Sequence, residues 1–251
     1  MLEILRFTDE KSDKFWKIEA LGCEFALNWG KFGTSGRYEI KEFDSEPECE
    51  KQAQKLLASK LKKGYTRSEL PSGHLYFDTD EFGLHPLTSH PNFRRYFSDA
   101  IYYDECDEEA PFGSDDGNDA FKSLQEAFRK GDTKALKFVQ DLLEREWGFT
   151  YLPPDKNQSD EELKSLAKRD FSGLLGDQIM YSNDQVIIAI AFGEIKISGK
   201  MSDKNLALLA LDSMERIERL NRLVWGHAGD ESFYAATMRR DLMKFMAEQV
   251  G

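Results

Sequence analysis

Asn28 to Arg37 reads NWGKFGTSGR, which places one tryptophan, three glycines and two cations within ten residues. Gly30, Gly33 and Gly36 permit positive φ and let a backbone approach a ligand closely, so that amides can point at an anion. Trp29 offers a flat face, and stacking of a base on an aromatic ring contributes about 1–3 kcal/mol in single-strand binders. Lys31 and Arg37 would add charge for phosphate. The competing reading is an ordinary glycine turn, with Trp29 packed in the core or on a sheet edge and both cations solvated.

A second group of chemistry-bearing residues lies further along. His74, His85 and His90 precede Asp104, Glu105, Asp107, Glu108, Asp115, Asp116 and Asp119. Carboxylates with histidine can hold a divalent metal. The spacing argues against it, because SDDGND lacks the alternate acids and distal Glu of a calcium loop, and HPLTSH is not HExxH. The structural reading makes Ser114, Asp115 and Asp116 the start of a helix, where acids favour the N-terminal dipole, and the rest a solvated acidic loop. Such a loop, with Asp104, Glu105, Asp107, Glu108, Asp115 and Asp116, would suit a basic protein partner. Cys106 among these acids is a blunted nucleophile. No GxSxG, P-loop or Rossmann fingerprint is present, and GLLGDQ (173–178) reads as a loop between helices. No cofactor is expected. Arg216, Arg219 and Arg222 share a helix face. They could bind an acidic partner or this chain's own acidic segment, but interspersed Glu215 and Glu218 make them read as a solvated face.

The 251 residues are 40% hydrophobic, enough for one large domain or two modest ones. No run approaches the roughly 20 apolar residues of a membrane span, and the opening MLEILRFTDE has acids where a secretory signal has basic residues. Three scattered cysteines suit a reducing compartment, and a cytoplasmic location without membrane contact is expected. The net charge of −12 argues against a general nucleic-acid binder. That charge is uneven: residues 1–70 hold 13 Lys and Arg against 13 Asp and Glu, whereas 78–119 hold 12 acids against Arg94 and Arg95.

ILRFT, FWKIEAL, CEFALNWG and RYEIKEF alternate apolar and polar residues between turn signals and are read as strands. The helical period begins at Ser45, an N-cap candidate, with Pro47 in the first turn, late lysines and a stop at Gly64. Ala53, Leu56, Leu57, Lys60 and Leu61 form the stripe that closes over the sheet. SELPSGHLYFDTDEFG then reads as a linker. Helices are expected over 118–130, 132–146 and from Ser159, with a capping box to Glu162. VIIAIAF is β-branched enough for a buried strand, but the length of DQVIIAIAFGEIKIS, its cap at Ser182 or Asn183 and its stop at Gly199 favour a buried helix. The remaining helices run from Ser202 through Arg222, and from Asp230 through Glu248; Trp225-Gly226-His227 marks a helix end.

In order, FWKIE (15–19), NWGKFGTSGR, EIKEFDS (39–45), a five-turn helix and KKGY (62–65) resemble the WGR domain. That module occurs in DNA-damage-responsive poly(ADP-ribose) polymerases and in many bacterial proteins. The chain departs from the naming tripeptide at its third position, Lys31, which keeps the charge but loses the bidentate fork of arginine. The resemblance implies recognition of DNA ends and nicks, with Trp29 on the terminal sugar and Lys31, Gly33 and Arg37, beside Gly30, on the phosphate side. The APFGSDDG run resembles the C-terminal part of an uncharacterised family of bacterial WGR proteins, which implies no activity.

The expected fold is α+β: a WGR-like antiparallel sheet with one packed helix over 1–69, a linker over 70–84, and an acidic, mainly helical domain over 85–251. The expected function is non-enzymatic contact with DNA or another polyanion, coupled to a regulatory or interaction domain. The alternatives are an interaction or immunity factor that uses residues 78–119, with the WGR unit only a scaffold, and a metal-dependent hydrolase.

Overall fold

In the computed structural model, which describes residues 1–226 and 234–249, the alternating N-terminal runs form β1 (Leu2–Thr8), β2 (Asp13–Leu21), β3 (Glu24–Lys31) and β4 (Arg37–Glu42). Helix α1 (Glu46–Lys62) follows, then a short β5 (Thr66–Arg67). The sheet is antiparallel in the order β4-β3-β2-β1-β5. Ser45 occupies the N-cap position of α1 without a side-chain cap bond, Pro47 lies in the first turn, and Gly64 (φ +86°) follows the last turn. Alternation sends Trp16, Ile18, Phe25 and Leu27 to one face, where Cys49, Ala53 and Leu57 of α1 close over them.

The other face is covered too. Residues 15–18 and 25–28 are buried consecutively, a pattern that requires cover on both sides of the sheet. The chain divides into units 1–90 and 91–251, and the first unit includes the segment expected to be a linker. Residues 70–84 are no bare connector, since His74, Tyr76, Phe77 and Asp78 are buried. His74 meets Phe15 edge-on, and the His85 ring lies 3.3 Å from Glu24. Asp78 accepts from the His85 N–H and the Thr88 hydroxyl, which ties the segment's turn together.

The second unit contains α2 (Pro91–Tyr96), α3 (Asp115–Arg129), α4 (Ala135–Gln140, continued by a π turn, Asp141–Glu146), α5 (Asp160–Ala167), the hairpin β6 (Asp170–Phe171) and β7 (Leu174–Leu175), α6 (Gly176–Ser198), α7 (Lys204–Leu220) and α8 (Ala235–Gln249). The run VIIAIAF is helical, and every residue from Val186 to Ile197 is buried, so α6 is the central element of this unit. Gly193 permits close approach of α3, because a Cβ there would lie 2.7 Å from the Phe121 ring.

Several boundaries differ from the sequence reading. Helix α6 starts at Gly176, not at Ser182 or Asn183, and GLLGDQ supplies a hairpin strand and the first helical turn. Gly176 presses against the Leu166 carbonyl, leaving no room for a side chain, and Gln178 accepts from the Leu175 N–H. Asn183 is fully buried inside the helix; its amide accepts from the Leu152 N–H and donates to the Thr150 carbonyl. Asp203, rather than Ser202, caps α7 by accepting from the Asn205 N–H. The capping box from Ser159 to Glu162 is present, and Gly226 ends the π turn after α7 with φ +77°. His227 and the expected helix start at Asp230 lie outside the described residues.

The arginine row is also corrected. Arg216 is 4% exposed and forks onto Asp184 with two 2.8 Å hydrogen bonds, while also donating to the Leu152 carbonyl. Arg219 donates to Asp160 and to the Gln158 carbonyl. Burial pushes the Asp184 carboxyl up, while Arg216 and Ser213 pull it back. This face clamps the unit internally.

Candidate nucleic-acid interface

The loop between β3 and β4 is held from beneath by Asn28. This side chain is buried, and its amide donates to the carbonyls of Ser35 (2.9 Å) and Arg37 (3.1 Å). The Thr34 hydroxyl and N–H both donate to the Lys31 carbonyl, closing the turn. Gly36 has φ +73°, and a Cβ there would lie 2.6 Å from Phe15 Cζ and 2.7 Å from the Trp29 carbonyl oxygen. Gly33 also has positive φ but meets nothing within 4 Å. One glycine is therefore required by packing and conformation together, the other by conformation alone.

Trp29 is half-buried against the core and sits opposite Trp16 on β2 and Arg37 on β4. It also borders an open cleft of about 590 Å³, within the range of ligand pockets. Lys11, Lys14, Lys31 and Lys60 line this cleft, together with the Tyr65 ring, Phe15 and Gly30. The lysines come from the β1–β2 turn, β2, the end of β3 and α1. Lys14 and Lys31 stand directly opposite each other across the β2–β3 ladder, an arrangement of like charges that disfavours the free protein and favours an anion between them.

Among the described residues lining the cleft, Asp13 is the one carboxylate. Arg6 grips it through two 2.7 Å hydrogen bonds and stacks its guanidinium 3.7 Å over the Phe32 ring. The hydrogen bond from Arg6 holds the Asp13 carboxyl below its ordinary range. Lys60 is the half-buried lysine of the set, with its ammonium 5.5 Å from the Trp16 ring and 5.2 Å from Tyr65. Burial, and then the neighbouring Lys63, lowers its pKa.

The structure thus brings Trp29, Gly30 and Lys31 into one cleft. Arg37 is exposed on the outermost strand and Gly33 on the loop, and neither is part of the cleft lining. Lys11, Lys14, Lys60 and Tyr65 are additional. Their signal in the sequence was slight: Lys60 interrupts the apolar stripe of α1, and Tyr65 ends KKGY.

The acidic residues of the second unit have mostly local partners. Asp104 accepts from the N–H groups of Cys106 and Asp107, and Asp107 accepts from the Glu109 N–H and the Tyr234 hydroxyl. Asp115 and Asp116 lie in the first turn of α3, behind the Ser114 cap. Glu105 and Glu108 are exposed. Among the described residues, no group of three or more His, Cys, Asp or Glu is placed to hold a metal ion. No described helix is long and apolar enough to cross a membrane.

This five-stranded sheet with its single helix and its tryptophan-glycine loop is a WGR domain, and residues 1–71 match the model of that family. Over nearly its whole length, 96% of this chain and 97% of the relative, the protein is 40% identical to "Uncharacterized protein YfeS" of Escherichia coli K12. The chain belongs to the family of YfeS. "Protein YehF" of the same organism is 46% identical over 59 residues, covering 24% of this chain and 22% of YehF. A crystal structure of a Bacteroides fragilis protein, 29% identical, gives a TM-score of 0.27 and covers 41% of this chain and 31% of that one.

Proposed function

We propose that the first unit is a non-enzymatic binding module that holds nucleic acid, and DNA ends or nicks in particular, in the cleft beside Trp29. The observation that carries this reading is the convergence of four lysines on Trp29 and Tyr65, with the lining carboxylate already taken by Arg6. Phosphate needs cations, and an exposed sugar or base needs a flat apolar face. Both are present within one cleft, on a chain whose overall charge would repel a polyanion elsewhere. WGR domains often bind nucleic acid, which supports the same reading.

Fluorescence anisotropy with nicked and 5′-phosphorylated duplexes tests it. Trp29→Ala is expected to weaken binding by about tenfold, consistent with about 1–3 kcal/mol for a stacking contact, and Lys14→Ala is expected to weaken it through the loss of one phosphate contact. Lys14→Ala should also reduce the slope of log affinity against log salt by about 1, the loss of one phosphate contact. Arg37→Ala, outside the cleft, is expected to change binding little. Affinity independent of salt, or loss through Arg37 rather than Lys14, refutes the cleft as the site.

A second reading concerns the loop after Tyr103. Its backbone is fixed by Asp104 and Asp107, so that Glu105 and Glu108 are displayed on a stiff support, suited to a basic protein partner. Capture of such a partner by the wild type and its loss with Glu105→Gln/Glu108→Gln tests that reading.

A further inference from the structure

His74 is buried, 8% exposed, on the sheet face opposite α1. Neither of its ring nitrogens has a hydrogen-bond partner among the described residues. Such a group is costly and calls for a physical account. The ring is held by other rings instead. It stands edge-on to Phe15, with centroids 5.4 Å apart, and edge-on to Tyr76 at 5.2 Å.

Phe15 connects this position to the binding cleft. Its ring lies beneath the glycine loop, where a Cβ at Gly36 would come within 2.6 Å of it and a Cβ at Gly30 within 3.4 Å. Phe15 also lines the cleft itself. The segment 70–90 therefore braces, through one ring pair, the residue on which Trp29-Gly30-Lys31 and Gly36 rest.

We propose that His74 is a positioning residue for this loop: neutral, it seats Phe15 beneath the glycines, and protonated it gives up that seat, so that ligand binding weakens on acidification. The inference rests on the reading of the cleft as the binding site. The charged and titratable groups around His74 are Lys17 of β2, paired with Glu19 at 2.8 Å, and Tyr76 and His90 of the covering segment. A protonated His74 would join Lys17 and His90 in a buried space, where unpaired charge is costly.

Burial, then Lys17, then His90 lower the His74 pKa from 6.5 to about 4. A group whose pKa is lowered on folding stabilises the seated arrangement fully above about pH 6.5, and that stability fades as pH falls toward 4. At pH 5 the ratio of released to seated His74 is raised about 30-fold over neutral pH. The lysines of the cleft alone predict the opposite trend, with binding constant or stronger in acid.

Two measurements on the full chain test the proposal. Hydrogen exchange, corrected for intrinsic rates, reads protection of residues 30–36 without any ligand. Protection should fall by up to about 30-fold between pH 7.5 and 5 in the wild type and stay level in His74→Phe, with His74→Gln as the second non-titrating variant. Anisotropy with a 5′-phosphorylated duplex should show affinity falling more steeply over the same pH range in the wild type than in the variants, the fall common to both coming from protonation of the terminal phosphate. Equal pH profiles in wild type and variants, in exchange or in binding, overturn the positioning role. If the wild type shows the exchange change yet binds no duplex at pH 7.5, the role of His74 in the loop stands and the reading of the cleft fails.

Discussion

Replacing Gly36 with alanine separates a conformational requirement from a packing requirement, because Gly33 in the same loop supplies the control. Both residues have positive φ, +73° at Gly36 and +88° at Gly33. An alanine at either pays about 1–2 kcal/mol for the left-handed region. At Gly33 nothing lies within 4 Å of the added methyl, so the cost stops there. At Gly36 the methyl would stand 2.6 Å from Phe15 Cζ, 2.7 Å from the Trp29 oxygen and 2.9 Å from Asn28 Nδ2. Two of those atoms cannot yield cheaply, since one is backbone and Asn28 holds the Ser35 and Arg37 carbonyls. Overpacking of this kind costs about 1–3 kcal/mol, which places Gly36→Ala near 2–5 kcal/mol in total. Urea denaturation of the full chain, followed by hydrogen exchange in residues 1–90, gives the two values. Equal losses in the two variants, or a larger loss for Gly33→Ala, would show that Phe15 and Asn28 do not crowd Gly36 and would undermine the brace beneath the loop.

Two predictions concern the second unit. Arg216→Met leaves Asp184 charged and buried without its fork, so stability of this unit should fall by about 3–5 kcal/mol, while Arg216→Met/Asp184→Leu should recover much of the loss; calorimetry of both variants checks this. Gly193→Ala sets a methyl 2.7 Å from Phe121 and 3.0 Å from Leu124, and the overpacking, about 1–3 kcal/mol, should exceed the roughly 1 kcal/mol gained in helix propensity. A net rise in the urea midpoint would contradict it.

The sheet and α1 were legible because their signals are local: alternation over short runs, turn glycines after β2 and β3, Pro47 and late lysines in the helix. The cover on the second face was not. Alternation in FWKIEAL sets Trp16, Ile18 and Ala20 on one face and Phe15, Lys17, Glu19 and Leu21 on the other, and nothing local marks Lys17 there, or Asn28 on β3, as covered. Both are buried, Lys17 against Glu19 and the Tyr76 ring, Asn28 against loop carbonyls. Pro, Ser and Gly in residues 70–84 pointed to a linker, whereas the aromatic residues among them, Tyr76 and Phe77, carry the packing. Arg216 was misread for a similar reason. Spacing of three and four places arginines on a common face but does not say whether that face is wet. The clue was the other partner, Asp184, an acid set just before the apolar run VIIAIAF of α6.

At the site, Trp29, Gly30 and Lys31 were legible because they are contiguous and bring their own turn chemistry. The lysines that complete the cleft are set by register and helix crossing, which no short window contains. Lys14 faces Lys31 only because the β2–β3 hairpin pairs Lys14 with Lys31 and Phe15 with Gly30. Lys60 reaches the cleft only because α1 lies across Trp16. The resulting site also gives meaning to the lysine in the third place of the motif. An arginine there would present a planar fork suited to bidentate recognition, whereas lysines act as point charges on flexible stems. Arg6, which grips the cleft's carboxylate, is committed to Asp13 and Phe32. In the binding site we propose, the lysines would hold phosphate and the rings of Trp29 and Tyr65 would stack on a terminal sugar or base. No Arg, Asn or Gln is among the described residues lining the cleft, so the proposed site would rest on phosphate contact and stacking more than on the reading of base edges.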